Sequence, residues 1–421
     1  DPDKLRRLGT QARKMAEAGH ALPGVVRRTE QLYREELARA ELVGSAETNG
    51  RGIRRLAKTG VAVGAHWTRL DRAIGSRRGL NQSPLVLGYH RVVENFEHSA
   101  RNTMASMLIS TRTLEQQLDW IGRRYRFVSM DELVERQSGK LNGHGANGGD
   151  KPIACVTFDD GYRDVFEHAF PLLQRKGIPF AVYMVTDLIG TDRLQLHDEL
   201  FLLLSEVLQQ APAARKDIWA FVAEGFPGGD SARITRLLSR VDASGTPYQA
   251  TRLMLHGLDA IEIRQAAKLL RENVPLERAQ YESFLSMDWD MLRTMVEGGA
   301  TVGSHTRSHV LLASEPESVV REELEGSRLV LEQHLGVPIR HFAYPDGSFR
   351  ADTLPAVEAA GYLTACTACV HTNKNYPSLT ISRRMLWEGA CQNALGHFSP
   401  AILSSQINGV FDAVERCPYE H

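Results

Sequence analysis

The sequence predicts an α/β protein: a parallel sheet or barrel with helices outside, preceded by an N-terminal helical arm and interrupted by a helical insertion. Three observations lead there. Leu85 to Gly88, Pro152 to Phe158 and Phe180 to Val185 are short and almost wholly apolar, as strands buried on both faces must be. Helical spacing alternates with such runs, and strand alternating with helix marks a parallel sheet or barrel. From about Thr191 to Ser286 the alternation gives way to successive amphipathic helical patterns, and then it resumes.

The composition sets the outer bounds. The 421 residues carry 50 basic and 51 acidic side chains, a net charge of −1, with 43% apolar and 24% charged residues. This is an ordinary globular composition of two or three folding units, and it excludes disordered and collagen-like chains. No stretch of about 18 uncharged apolar residues is present, so no transmembrane span is expected. A balanced charge offers no global field for phosphate backbones, which removes nucleic acid as a partner. The five cysteines, Cys155, Cys366, Cys369, Cys391 and Cys417, are sparse and odd in number. That favours a reducing, cytoplasmic setting, with or without peripheral membrane contact. The chain starts at Asp1 and not Met, so a periplasmic or exported location stands as the alternative. Cys366 and Cys369 have CxxC spacing without a second pair to complete a zinc site, and are expected to be packed small residues.

Residues 1–83, rich in Arg, Ala, Leu and Glu, form the arm. Ile53 to Ile74 mixes basic residues with Val61, Val63, Trp67 and Leu70; packing on the protein's own body is expected, with a membrane surface or partner as alternative. The barrel is assigned to residues 84–398. Its first strand leads into Tyr89 and His90, followed by helices at Thr113 to Arg123 and Met130 to Gln137 and a Gly/Asn-rich loop from Ser138 to Asp150. Pro152 to Phe158 is a strand, Phe166 to Lys176 a helix and Phe180 to Val185 a strand. The insertion, residues 191–288, holds helical patterns at His197 to Gln209, Lys216 to Glu224, Ser231 to Val241 and Asp259 to Glu272. It suits a lid, an oligomer interface or a substrate-specific wall. Helices at Trp289 to Gly298, Pro316 to Leu335 and Thr353 to Ala360 then alternate with strands at Ala300 to Ser304, Ile339 to Tyr344 and Leu363 to Thr367. Residues 399–421 are a C-terminal tail.

The chemistry concentrates where strands end. Asp159 and Asp160 form the only Asp-Asp dipeptide and follow a buried strand, at the carboxyl end where parallel sheets bind ligands. Adjacent carboxylates repel unless a cation or shared proton relieves them. An exposed Asp-Gly turn is the bland reading of the same residues. His305 and His309 follow the strand ending at Ser304, and in a helical turn their spacing places both imidazoles on one side, suited to one divalent ion. A chain with 15 histidines yields such a pair by chance often enough that position matters more than spacing. Two His and one Asp make three ligands with a position left open, and the second aspartate is placed to take a proton from water. The reaction class is amide or ester hydrolysis.

Together these residues resemble the polysaccharide deacetylase family (NodB homology domain, carbohydrate esterase family 4). Its first motif is similar to Thr157–Phe158–Asp159–Asp160–Gly161, its second to His305–Thr306–Arg307–Ser308–His309, and its third to Phe342–Ala343–Tyr344–Pro345–Asp346–Gly347. The resemblance covers about Pro84 to Arg384 without the insertion, and implies a distorted (β/α)7-type barrel. It implies Asp159 as general base, Asp160, His305 and His309 as ligands of a divalent metal, and the Tyr344 backbone N–H as an oxyanion donor. The metal implied is zinc foremost, with cobalt, nickel or manganese accepted by the same site. The arginine that normally orients the base is missing from the third motif, and Arg383 or Arg384 stands in. A branch that modifies poly-N-acetylglucosamine exopolysaccharide is similar in having a permuted motif order and a Tyr-His on its first strand. Tyr89–His90–Arg91–Val92 matches it, which makes His90 the general acid, ahead of the poorly matching His397.

The resemblance therefore implies metal-dependent de-N-acetylation of an amino sugar in a polysaccharide or glycan precursor, releasing acetate. Tyr162, Trp387 and Asp290 are candidates for a sugar subsite, since aromatic faces stack on sugars, and Arg163 either contacts substrate or solvates a helix start. Peripheral membrane contact or a homo-oligomer, through the arm or the insertion, belongs to the same reading. An O-acetyl esterase or small-amide hydrolase on the same site is one alternative. A catalytically inactive carbohydrate-binding module of a polysaccharide synthesis complex is another, against which a free base beside the ligand set argues.

Overall fold

The computed structural model describes residues 47–80, 83–137, 151–226, 231–369 and 371–412. The expected Gly/Asn loop and the first part of the arm lie outside these residues.

Ten strands are described: β1 (Leu85–Tyr89), β2 (Arg91–Val93), β3 (Leu108–Ser110), β4 (Arg126–Phe127), β5 (Ile153–Phe158), β6 (Phe180–Met184), β7 (Thr301–Ser304), β8 (His341–Ala343), β9 (Thr364–Cys366) and β10 (Arg383–Met385). Seven form one parallel sheet in the order β10-β1-β5-β6-β7-β8-β9, with β4 a short branch on β5 and β2 paired with β3 apart. The ring is drawn closed just before β10. Thr367 N–H donates to Ile381 O at 2.9 Å, and Ile381 N–H donates to Ala365 O at 2.9 Å. The result is a distorted (β/α)7 barrel.

Burial on both faces explains the unbroken apolar runs. Along β1, Leu85, Leu87 and Tyr89 pack outward under the helices while Val86 points into the barrel. Along β5 and β6, Ala154, Val156, Phe158, Phe180, Val182 and Met184 face outward, and Cys155, Ala181 and Tyr183 inward. Each large outward side chain buried this way contributes about 1.5–3 kcal/mol. Cys366 fills the interior as a free thiol, and Cys155 and Cys391 are free as well.

The outer helices are α3 (Thr111–Gly122), α4 (Met130–Gln137), α5 (Phe170–Lys176), α11 (Trp289–Glu297), α12 (Glu317–Leu335) and α13 (Leu354–Ala359). α5 is preceded by one turn of π-helix at Val165–Ala169. Between β6 and α11 lie α6 (Leu196–Gln209), α7 (Pro212–Glu224), α8 (Ser231–Asp242), α9 (Pro247–Gly257) and α10 (Ala260–Asn273). They share a core of their own, built from Leu200, Leu204, Val222, Leu238, Met254 and Leu270 among others. Sequence periodicity missed α9, which Pro247 starts and the Thr246 side chain caps by accepting from Gln249 N–H.

The helices α1 (Glu47–Trp67) and α2 (Leu70–Arg77) lie against α14 (Pro400–Ile407). Ala62 packs with Ile402 and Phe411, and Ala65 with Leu70 and Ile74. Buried Asp71 accepts from Ser404 Oγ at 2.6 Å. Residues 399–412 are thus part of the folded body and not a trailing tail: Leu403 and Ile407 enter the main core. Among the described residues no helix is long and apolar enough to cross a membrane.

Candidate active site

The site stands at the carboxyl end of the barrel strands and is assembled from the loops after β5 and β7, with His90 from just past β1 and Arg383 from β10. The loop after β5 carries Asp159 and Asp160, both buried. Asp160 (φ 69°) and Gly161 (φ 70°) are both left-handed. This turns the two carboxylates apart, and Gly161 has no room for a Cβ against Met184. Of the five described non-glycine residues with positive φ, four, Asp160, Thr306, His309 and Asp346, belong to the motif loops. Backbone strain of this kind persists where the surroundings over-determine it, as functional sites do.

His305 and His309 are brought together, but not by the helical turn expected of their spacing. The segment after β7 is an irregular loop with Thr306 (φ 69°) and His309 (φ 59°) left-handed. Its hydrogen bonds explain why it forms. Thr306 Oγ1 accepts from His309 N–H at 2.9 Å, and Ser304 Oγ accepts from Thr306 N–H at 3.2 Å. Glu323, reaching from α12, accepts from Arg307 N–H (2.7 Å), Ser308 N–H (3.0 Å) and Ser308 Oγ–H (2.6 Å).

Asp160, His305 and His309 offer ligand atoms that all lie within 4.8 Å of one another. His305 Nδ1 is 2.7 Å from the Ala343 carbonyl, to which it donates, so Nε2 carries the lone pair and lies 3.5 Å from Asp160 Oδ1. His309 Nε2 lies 3.2 Å from the same oxygen. Among the described residues the buried Asp160 Oδ1 has no hydrogen-bond partner, an arrangement that costs free energy unless a cation occupies the space between. Burial works to raise the Asp160 carboxyl, but neighbouring His309 outweighs it and holds the group well below the usual range. Burial holds His305 down, to about 4, in the neutral form a ligand needs. The donor set fits a divalent cation.

Asp159 is held differently. Arg383 on β10 clamps it with two bonds, Nη1 to Oδ1 at 2.6 Å and Nη2 to Oδ2 at 2.7 Å. Arg383 is itself fixed by donating from Nε to Thr367 O (3.1 Å) and from Nη1 to Thr157 Oγ1 (3.1 Å). Burial raises the Asp159 carboxyl, but the Arg383 charge, with His305 and His90, brings it below its ordinary value. A buried carboxylate so held stays ionised and aimed, yet it is no part of the ligand cluster.

Other expected residues separate. Arg384 points away and pairs with Asp412 at 2.6 Å, so of the two arginines only Arg383 reaches the carboxylates. His90, half-buried just past β1, is near enough that its charge acts on both Asp159 and Asp160. Tyr344 does not present its N–H to the site: that group donates to Cys366 O at 3.0 Å in the β8–β9 ladder, and its hydroxyl donates to Leu379 O. Tyr162 is not an open sugar platform either, being 1% exposed with its hydroxyl donating to Asp198 Oδ2 at 2.5 Å. Trp387 is half-buried against the main core. Asp290 is on α11 with Arg293, Arg163 pairs with Glu167, and His397 is exposed.

Sequence reasoning missed what the insertion contributes. Gln195, His197 and Asp198 from its start, and Leu285 to Met287 from its end, touch the first motif: Met287 N–H donates to Gly161 O and Arg163 N–H to Leu285 O. Nothing local to those residues signals this, because an amphipathic pattern shows that a helix is buried and not against what.

A parallel barrel with an Asp–His–His group that could hold a cation and a separate clamped carboxylate at its strand ends has the parts that metal-assisted hydrolysis uses. A family model described as polysaccharide deacetylase matches residues 146–217 and 231–365. The chain belongs to the polysaccharide deacetylase family. His90 and Arg383 lie outside the matched segments and are brought in by the fold.

Among curated proteins, the poly-beta-1,6-N-acetyl-D-glucosamine N-deacetylase of Staphylococcus aureus is 26% identical over 119 residues. That match takes in 26% of this chain and only 38% of the relative's length. Among solved structures, IcaB from Ammonifex degensii aligns at 20% identity over 73% of this chain and 92% of that one, with a TM-score of 0.43. The Streptococcus pyogenes deacetylase PplD in complex with acetate aligns at 15% identity over 76% and 96%, with a TM-score of 0.45.

Proposed function

We propose that the chain is a divalent-cation-dependent de-N-acetylase acting on an N-acetylated amino-sugar polymer of the poly-N-acetylglucosamine type. The observation that carries this is the pairing of an ionised, arginine-clamped Asp159 with a separate Asp160–His305–His309 cluster. A carbohydrate-binding module has no use for a positioned base beside a ligand set, and the S. aureus relatives bear the name of an N-deacetylase of such a polymer.

The residues divide the work. Asp160, His305 and His309 would hold the cation, which when bound supplies a Lewis acid that polarises an acyl carbonyl and acidifies water. Arg383 holds both oxygens of Asp159, so the base cannot swing towards the neighbouring imidazoles and is aimed at the water that attacks the acetyl carbon. Asp159 accepts that water's proton. His90, just past β1, the strand that pairs with β5, delivers a proton to the departing amine nitrogen, without which the C–N bond must expel an amide anion. Acetate and a free amino sugar leave. Zinc heads the cations that an Asp–His–His set accepts, with cobalt, nickel and manganese behind it.

The test measures acetate released from N-acetylglucosamine oligomers with and without chelator. Asp159→Asn is expected to keep cation stoichiometry while turnover falls about 10²–10⁴-fold, the weight of a general base. His305→Ala is expected to lose the ion. Chelator-insensitive oligomer binding with no acetate release by the unmodified chain sinks the enzyme reading.

A further inference from the structure

At the mouth of the site one imidazole has no role in the reaction just described. His197 opens α6, the first helix of the insertion, and its ring centroid lies 5.7 Å from that of His309. Its side chain is 16% exposed.

We infer that His197 is a substrate-contacting residue, the group through which the helical insertion grips the sugar beside the acetyl group. This rests on the de-N-acetylase reading and adds a binding contact to it.

The chemistry of one hydroxyl carries the inference. Tyr162 Oη lies 2.5 Å from Asp198 Oδ2 and 3.1 Å from His197 Nε2. A phenol has one proton, and the carboxylate, which can only accept, takes it. The hydroxyl therefore accepts from His197 Nε2–H, and in the neutral ring the lone pair is left on Nδ1. Nδ1 makes no hydrogen bond among the described residues, on a ring that edges the ligand cluster. An acceptor so placed matches what a glycan offers next to its N-acetyl group, hydroxyl and amide N–H donors.

The anchor behind His197 is built like a binding site. Asp198 and Tyr162 are 0% and 1% exposed. Arg91 lies over the Tyr162 ring at 5.1 Å and over Phe284, near the far end of the insertion, at 4.3 Å. It also pairs with buried Asp164 at 2.8 Å and donates to Ser283 O. Gln195 reaches the Asp160 carbonyl at 3.5 Å. Both ends of the insertion are thus fastened to the first motif, and His197 is held still, as a residue that selects substrate by one hydrogen bond must be.

The experiment compares His197→Phe, which keeps a ring and removes the acceptor, with His197→Asn, which restores an acceptor near the Nδ1 position. The probes are an N-acetylglucosamine tetramer and 4-nitrophenyl acetate, which has no sugar to hold. For the tetramer, His197→Phe is expected to raise KM about tenfold, the weight of one hydrogen bond, with kcat within about twofold, and His197→Asn to recover part of the loss. Ester hydrolysis and cation stoichiometry should stay at the unmodified values, and Tm should fall by the same small amount in both variants, since each loses the bond to Tyr162. An unchanged tetramer KM, or equal losses on both probes, overturns the inference. Calorimetric tetramer binding to Asp159→Asn, with and without His197→Phe, separates the two levels. If the unmodified chain releases no acetate but His197→Phe still weakens binding about tenfold, the reaction was misread and the contact stands. If acetate is released and binding is unaffected, only the contact falls.

Discussion

Arg383 and Asp159, 224 residues apart in the chain, meet in a two-pronged ion pair of 2.6 and 2.7 Å inside the barrel mouth. The fork fixes both carboxylate oxygens, which a lysine cannot do. Arg383→Lys is expected to lower kcat about a hundredfold, the scale of a misplaced catalytic group, while cation content stays whole. Arg383→Ala removes one partner of a buried pair and should also cost about 3–5 kcal/mol of stability, read by denaturant unfolding. Arg384→Ala, which loses only the pair with Asp412, should leave kcat near the unmodified value. A matching loss of kcat in Arg384→Ala would show that the clamp is not what aims Asp159.

Glu323 shapes the loop that presents His305 and His309, taking three hydrogen bonds from Arg307 and Ser308. Glu323→Gln keeps the size but turns an acceptor into a partial donor against N–H groups. Cation affinity should fall about ten- to a hundredfold, as for other residues that orient ligands from behind. Competition with a chromophoric chelator measures it, and unchanged affinity would mean that the loop holds itself.

His90→Asn distinguishes proton delivery from packing. An amide needs its leaving nitrogen protonated, whereas a nitrophenolate leaves unaided. Acetate release from N-acetylglucosamine oligomers should therefore slow about 10²-fold or more, with nitrophenyl acetate hydrolysis little changed. Parallel losses on both would remove His90 from the acid role.

Asp131, at the start of α4, lies 3.2 Å from His341 Nε2 and 3.3 Å from Arg340, far from the site. The hydrogen bond with His341 is the largest influence, and with Arg340 it outweighs burial to hold the carboxyl below its ordinary 3.8. The folded form keeps this charge to lower pH than the unfolded form does. The stability it adds is present above the unfolded value and is lost as pH falls through the folded one. Between about pH 5 and 3 the unmodified chain should lose Tm more steeply than Asp131→Asn, by a small margin since the group is partly exposed. Parallel curves would rule the pair out as a source of acid sensitivity.

The sequence alone determined the main barrel strands, most of the helices and the motif residues bearing chemistry. Strands buried on both faces must be continuously apolar, so β1, β5 and β6 were legible, and so were motifs placed just after strands. Local spacing says nothing about what faces what, and that was left to the tertiary structure. Arg383 and Arg384 are neighbours on one strand, hence on opposite faces: the pairing of β10 with β1 sends the first to Asp159 and the second to Asp412. The β8–β9 pairing occupies the Tyr344 N–H, and long-range packing bends residues 305–309 into an irregular loop with two left-handed residues and seats the insertion on Tyr162. Each of these depends on groups far away along the chain, whose distance in space is set only when the barrel closes.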